Sequence, residues 1–228
     1  MPLFTRVAPS IIAMDYKDEK ALDKALKDIE DAGANFVHLD VMDGKFVSNK
    51  TFDYKFVDQI KNKTTLLLDV HLMVEHPEKV VDKYIAAGAD ILHFHYEATD
   101  KPEELLKYIK SKNVLAGLAI SPSTPAFKIK DLLKKNLVDV VLVMGVEPGA
   151  CGQTFIPGSA EKVAEVRELD RSVYIEIDGG VNLKNSKILR KLGANILVSG
   201  SCIFSSKNMR KAINHLKGRS WVLSMHSL

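Results

Sequence analysis

Two histidines and two aspartates close three apolar runs of this chain, and side chains of these types in that setting are suited to holding a divalent metal ion. His38 and Asp40 end Phe36-Val37-His38-Leu39-Asp40, His71 ends Leu66-Leu67-Leu68-Asp69-Val70-His71, and Asp178 ends Tyr174-Ile175-Glu176-Ile177-Asp178. Residues two apart on a strand share a face, so His38 and Asp40 point the same way. Apolar surroundings reject unpaired charge, so these groups need a reason to be there. Imidazole and carboxylate together suit one divalent ion, zinc first, and the same set accepts iron, cobalt or manganese. Asp69 and Glu176 share faces with His71 and Asp178 and are expected to orient the ligands. His93 and His95 end a fourth run with no partner carboxylate apparent, so structural roles are expected for them.

Such a site needs a scaffold that gathers the ends of separate strands. Eight strands are expected, at 6–11, 36–41, 66–71, 91–95, 114–120, 138–144, 173–178 and 196–199. Several are continuously apolar, as parallel strands covered on both faces are. Between them lie amphipathic segments: Leu22, Leu26 and Ile29 form one stripe, and Met209, Ala212, Ile213 and Leu216 another. Pro77 and Pro102 fit first-turn positions, and Asp100 and Asn182 are candidate caps.

A repeat reinforces the alternation. Ala32-Gly33-Ala34-Asn35, Ala87-Gly88-Ala89-Asp90 and Leu192-Gly193-Ala194-Asn195 each close a helix just before a strand, and Asn136-Leu137-Val138-Asp139 holds a comparable place without glycine. Gly33 and Gly88 are 55 residues apart and Gly88 and Gly193 are 105 apart, nearly two such steps. A repeating pair of βα units predicts a closed (β/α)₈ barrel over residues 1–218, with 219–228 as a C-terminal tail. A doubly wound sheet also alternates strand and helix, but no Gly-x-Gly-x-x-Gly follows the first strand.

Bulk composition narrows the partners. With 228 residues and an apolar fraction of 46%, the chain can fill one large core. The net charge of +3 is spread along helical segments, which argues against nucleic acid. No apolar run approaches the ~20 residues of a membrane span. Two cysteines, Cys151 and Cys202, give no disulfide framework, and Met1-Pro2-Leu3-Phe4-Thr5-Arg6 lacks the layout of a secretory signal, so a cytoplasmic location is expected.

Loops seven and eight of such a barrel tend to hold phosphate, and here they read Asp178-Gly179-Gly180-Val181 and Ser199-Gly200-Ser201. The stretch 144–153, with glycines at 145, 149 and 152 around Pro148, has the composition of a lid. Cys151 within it has no neighbour that would activate a thiol. Met42, Met73 and Met144 near one rim suggest a deformable apolar floor. A phosphorylated small molecule on a metal-bearing rim suggests carbonyl polarisation and enediolate chemistry. Asp40 and Asp178, three strands or about 135° apart around an eight-strand ring, can address one carbon from opposite sides, which is an epimerisation.

The motifs resemble the ribulose-phosphate 3-epimerase family. They are Ala8-Pro9-Ser10-Ile11-Ile12, His38-Leu39-Asp40-Val41-Met42-Asp43-Gly44-Lys45-Phe46-Val47, Leu68-Asp69-Val70-His71-Leu72-Met73-Val74, the loop from Val146 to Phe155, Glu176-Ile177-Asp178-Gly179-Gly180-Val181 and Val198-Ser199-Gly200-Ser201. The resemblance implies a TIM barrel that epimerises C3 of a ketose phosphate, D-ribulose 5-phosphate to D-xylulose 5-phosphate, in the pentose phosphate pathway. It implies His38, Asp40, His71 and Asp178 as metal ligands, with Asp40 as proton acceptor and Asp178 as proton donor. Ser10, Met42, Met73, His71, Met144, Gly149, Ala150, Cys151, Gly152, Asp178, Gly179, Gly180, Val181, Gly200 and Ser201 are then expected around the substrate, in a homo-oligomer, either dimer or hexamer. Ala150-Cys151 stands where the family has Phe-Gly. Ala13-Met14-Asp15 resembles the D-allulose 6-phosphate 3-epimerases. A ketohexose phosphate therefore stays open as the substrate, as does a non-catalytic phosphate-binding barrel.

Overall fold

Four turn residues tie the strands together in pairs at the end of the barrel away from the rim. In this computed structural model, which describes residues 5–219, the strands are β1 (Arg6–Pro9), β2 (Phe36–Met42), β3 (Leu67–Met73), β4 (Ile91–His95), β5 (Leu115–Ile120), β6 (Val140–Met144), β7 (Tyr174–Asp178) and β8 (Ile196–Ser199). Asn35, just before β2, accepts from Val7 N at 3.1 Å and donates its own N–H to Val7 O at 3.0 Å. Asp90 does the same with Leu68, Asp139 with Ala116 and Asn195 with Ile175. Each pair of bonds staples an odd-numbered strand to the even-numbered one that follows. That is why the Ala-Gly-Ala-Asn pattern recurs every second unit.

The turns ahead of these staples need a left-handed residue, and Gly33, Gly88 and Gly193 take it with φ of 85°, 92° and 115°. At the fourth turn Asn136 adopts φ of 54°. Asparagine tolerates that region better than most residues, which explains how the turn manages without glycine.

The helices are α1 (Glu19–Asp31), α2 (Tyr54–Lys61), α3 (Val81–Ala86), α4 (Pro102–Ser111), α5 (Lys130–Lys134), α6 (Gly158–Leu169), α7 (Ser186–Leu192), α8 (Ser201–Phe204) and α9 (Met209–Leu216). Pro102 opens α4 as expected, but Lys101 rather than Asp100 is its cap residue. Asn182 sits earlier than a cap: its Oδ1 accepts from Lys184 N and Asn185 N in the turn before α7. β4 and β8 match expectation and the other strand ends differ by at most two residues; β1 leaves the ladder at Pro9 because Ile11–Ala13 wind into a 3-10 turn.

All eight strands pair in parallel in the order β1-β8-β7-β6-β5-β4-β3-β2, and a bridge between Ser10 and His38 joins β1 to β2. Helices cover the outside through a continuous apolar layer that includes Val37, Leu39, Val70, Phe94 and Ile177. Inside, Ala8, Phe36, Ile91, Val140, Ile196 and Val198 plug the lower end. Above that plug the interior turns polar, with His38, Asp69, His93 and Glu176 all fully buried. Among the described residues, no helix is long and apolar enough to cross a membrane. Residues 220–228 of the expected tail lie outside the described residues.

Candidate active site

Strand register places the metal-type side chains beside one another. Asp40 on β2 pairs with His71 on β3, and His38 pairs with Asp69. On β6 and β7, Met144 pairs with Asp178. His38 Nε2 and His71 Nδ1 lie 3.3 and 3.2 Å from Asp40 Oδ1, and 3.9 and 4.0 Å from Asp178 Oδ2. All four donor atoms fall within 4.8 Å of one another. A tetrahedral ion with ligand bonds near 2.0–2.1 Å would set its ligands about 3.3 Å apart, so this cluster fits a zinc-sized ion with small closing movements. The outer contacts fit too. His38 Nδ1 is 2.7 Å from Asp69 Oδ2, which leaves Nε2 for an ion, and Ser10 Oγ donates to Asp40 Oδ2 at 2.7 Å.

Above the cluster opens a cavity of about 650 Å³. Asp40 and Asp178 form part of its floor, with Ser10, Met42, Met73 and Met144 around them. Gly179, Gly180 and Val181 of loop seven and Gly200 and Ser201 of loop eight line one end. Gly149, Ala150, Cys151 and Gly152 lie over the cavity. That loop is tied to the one after β2, because Asn49 Nδ2 donates to Gly149 O at 2.6 Å. His38 and His71 are fully buried beneath the acids and do not reach the cavity wall, so His71 stands apart from the expected substrate shell.

These positions sit in a chain whose residues 6–204 match the Ribulose-phosphate 3 epimerase family. The chain belongs to that family. A ribulose-phosphate 3-epimerase of Bacillus subtilis is 38% identical over 218 residues, covering 93% of this chain and 98% of that one. One of Chlamydia muridarum is 40% identical over 220 residues, covering 93% and 94%. Among solved structures, KGPDC from Streptococcus mutans superposes with a TM-score of 0.68 at 12% identity, covering 95% and 97%, a likeness of fold alone. The protein is therefore an enzyme, an epimerase on a TIM barrel, with a His/Asp cluster able to hold a metal ion.

The two acids of this epimerase differ sharply in charge preference. Burial, reinforced by the nearby Asp40 carboxylate, pushes the Asp178 carboxyl up to about 7. Asp40 feels the same burial, but His38 beside it outweighs that and holds it well below the usual carboxylate range. Burial would strip the proton from His38, yet Asp40 and Asp69 keep it raised well above normal. His71 goes the other way, to about 3, because burial and the neighbouring His95 outweigh Asp40. Burial and the acids Asp40 and Asp178 push the Cys151 thiol up, in keeping with an unactivated cysteine.

The expectation that His93 and His95 lack carboxylate partners is corrected. His93 Nε2 lies 2.9 Å from Asp69 Oδ1, and His95 Nδ1 lies 3.2 Å from Glu97 Oε2. Asp69 is on the neighbouring strand, and Glu97 is two residues beyond His95, where the strand has already turned into Tyr96–Ala98. Thr51 also escaped notice: its hydroxyl donates to Asp40 O and accepts from Met42 N at 2.9 Å, pinning the exit of β2.

Close packing at one glycine holds Asp178 in place. Gly145 N donates to Asp178 O at 2.5 Å, and a Cβ at Gly145 would lie 2.3 Å from Gly179 O. The Gly179 carbonyl on one side and the Phe155 ring, 2.9 Å away, on the other leave little room to yield. Gly145→Ala is expected to lower stability by roughly 1–3 kcal/mol, read from the urea midpoint, and to reduce kcat more than it raises KM. An unchanged midpoint and kcat would show that loop seven moves freely.

Proposed function

We propose that the protein epimerises C3 of a ketose phosphate, interconverting D-ribulose 5-phosphate and D-xylulose 5-phosphate by proton transfer between Asp40 and Asp178, in the pentose phosphate pathway. The observation that carries this reading is the convergence of the two acids. They come from β2 and β7, three strands apart, yet share one donor cluster on the floor of one cavity. The names of the curated relatives supply the substrate.

The charge preferences assign the starting roles. Asp40, held ionised, accepts the C3 proton from one face, and Asp178, which retains its proton to about pH 7, returns one to the other. Their roles exchange in the reverse direction. Ser10 keeps the Asp40 carboxylate from rotating. Met42, Met73 and Met144 form a soft apolar wall that keeps water from the carbanion-like carbon. Gly179, Gly180, Val181, Gly200 and Ser201 provide backbone that a phosphate can approach closely. His38, Asp40, His71 and Asp178 would hold the divalent ion, zinc by preference, which supplies Lewis-acid stabilisation of the charge left when the C3 proton departs. The assembly is proposed to be a homo-oligomer.

Incubation with ribulose 5-phosphate in heavy water tests this reading. Xylulose 5-phosphate carrying deuterium at C3 is the expected product. Absence of both conversion and exchange would refute it. The same assay with a ketohexose 6-phosphate ranks the longer sugar, and a higher kcat/KM for it would reassign the substrate while keeping the chemistry.

A further inference from the structure

His38 and His71 are held from behind in different ways. Asp69 contacts His38 directly, whereas His71 turns its Nε2 toward another imidazole, His95 Nε2, at 2.9 Å. Two ring nitrogens at that separation share one proton, and its owner fixes the tautomer of both rings. The far side of His95 decides which. Its Nδ1 lies 3.2 Å from Glu97 Oε2, with the Ser121 hydroxyl a longer 3.4 Å away. Glu97 is anchored as an acceptor, since its Oε1 takes hydrogen bonds from Ser121 N at 2.9 Å and from the Thr124 hydroxyl. Burial opposes charge on Glu97, but the bonds from His95, Thr124 and Ser121 hold its carboxyl down at about 2.

An ionised carboxylate only accepts, so His95 carries its proton on Nδ1. Its Nε2 then offers a lone pair, and the shared proton belongs to His71 Nε2. That leaves His71 Nδ1 bare and facing Asp40 and Asp178. Phe46 packs over His95 with ring centroids 4.7 Å apart, and both histidines are fully buried, so water cannot reset the chain of protons.

We infer that Glu97 and His95 are positioning residues for the metal centre: through two hydrogen bonds in series they fix His71 as the Nδ1 ligand, doing for it what Asp69 does for His38. This rests on the metal-centre reading above, and the test separates the two.

Zinc affinity of the purified protein is measured by competition with a chromophoric chelator. Glu97→Gln keeps the shape and its bonds to Ser121 and Thr124, yet it is expected to weaken zinc binding about 10–100-fold, the usual effect of losing an outer partner. Combined with His95→Gln, it is expected to add nothing further. Asp100→Asn, an acid outside the chain of bonds, should leave affinity unchanged. If the wild type binds zinc and Glu97→Gln binds it equally well, the relay is wrong and the metal centre stands. If the wild type does not bind zinc, the metal centre itself fails. Should the variants not fold, nitrogen NMR of the zinc-loaded wild type decides. Protons on His71 Nε2 and His95 Nδ1 are expected, and a proton on His95 Nε2 overturns the inference.

Discussion

Replacing Asp178 by asparagine is expected to stop epimerisation while leaving the barrel folded. Asparagine fills the same space but cannot deliver or accept a proton, and loss of a positioned acid or base costs roughly 10²–10⁴-fold in rate. The loss should fall on kcat in both directions. Isotope exchange gives a sharper readout than rate. With Asp40 intact, the epimer whose C3 proton faces Asp40 can still lose that proton and regain it on the same face. Deuterium should therefore enter one epimer slowly without inversion, and the other should exchange hardly at all. Asp40→Asn should show the mirror image.

Stability moves the opposite way in Asp178→Asn. The Asp178 carboxyl is raised to about 7 from an ordinary value near 3.8. Its contribution is therefore complete below about pH 4 and lost as pH rises through 7. Metal-free Asp178→Asn should thus melt higher than metal-free wild type at pH 8, by less at pH 5, and no higher below about pH 4. Equal exchange in both epimers, or wild-type turnover, would remove Asp178 from the chemistry.

What could be read from the residues, and what could not, follows a physical line. The barrel was legible because each of its devices is local: β-branched runs mark strands, and the glycine turns mark helix ends. The Asn or Asp after each turn was visible as a repeat, but its job was not. A side chain bonding back to Val7 or Leu68 spans a whole helix, and only the closed fold shows it. The four metal-type residues stood out because charge at the end of an apolar strand is expensive without a partner. Glu97 was missed for the converse reason. It lies in a polar turn where a glutamate is unremarkable, and only the turn of Tyr96–Ala98 swings it back beneath His95. The depth of the polar interior was also hidden. His93 looked unpartnered because its carboxylate, Asp69, is 24 positions away in sequence.

Stripping the metal should abolish turnover and expose how much of this site is balanced around a dication. The ligand set holds two carboxylates in one buried cluster, and burial, with Asp40 beside it, is what raises Asp178. Without the ion, His38 and, below about pH 7, Asp178 carry protons that a bound metal must displace. Zinc binding is therefore expected to release about one proton more at pH 6 than at pH 8, measured with an indicator dye in weak buffer. Stability should follow the same proton count. In the stripped protein the raised groups, His38, His93 at about 9 and Asp178 at about 7, stabilise the fold at low pH and lose that effect as pH climbs through their folded values. Asp40, Asp69 and Glu97, all lowered, act in the other sense and fail only in strong acid. The metal-free melting temperature should accordingly peak in mildly acidic buffer and fall towards pH 9. Added zinc should raise it least at pH 5 and most at pH 8, where fewer protons compete and saturation at a hundred times Kd supplies about 2.7 kcal/mol. A melting temperature that ignores zinc at pH 8, or activity that survives the chelator, would mean that the two histidines and two aspartates are held together for some purpose other than binding an ion.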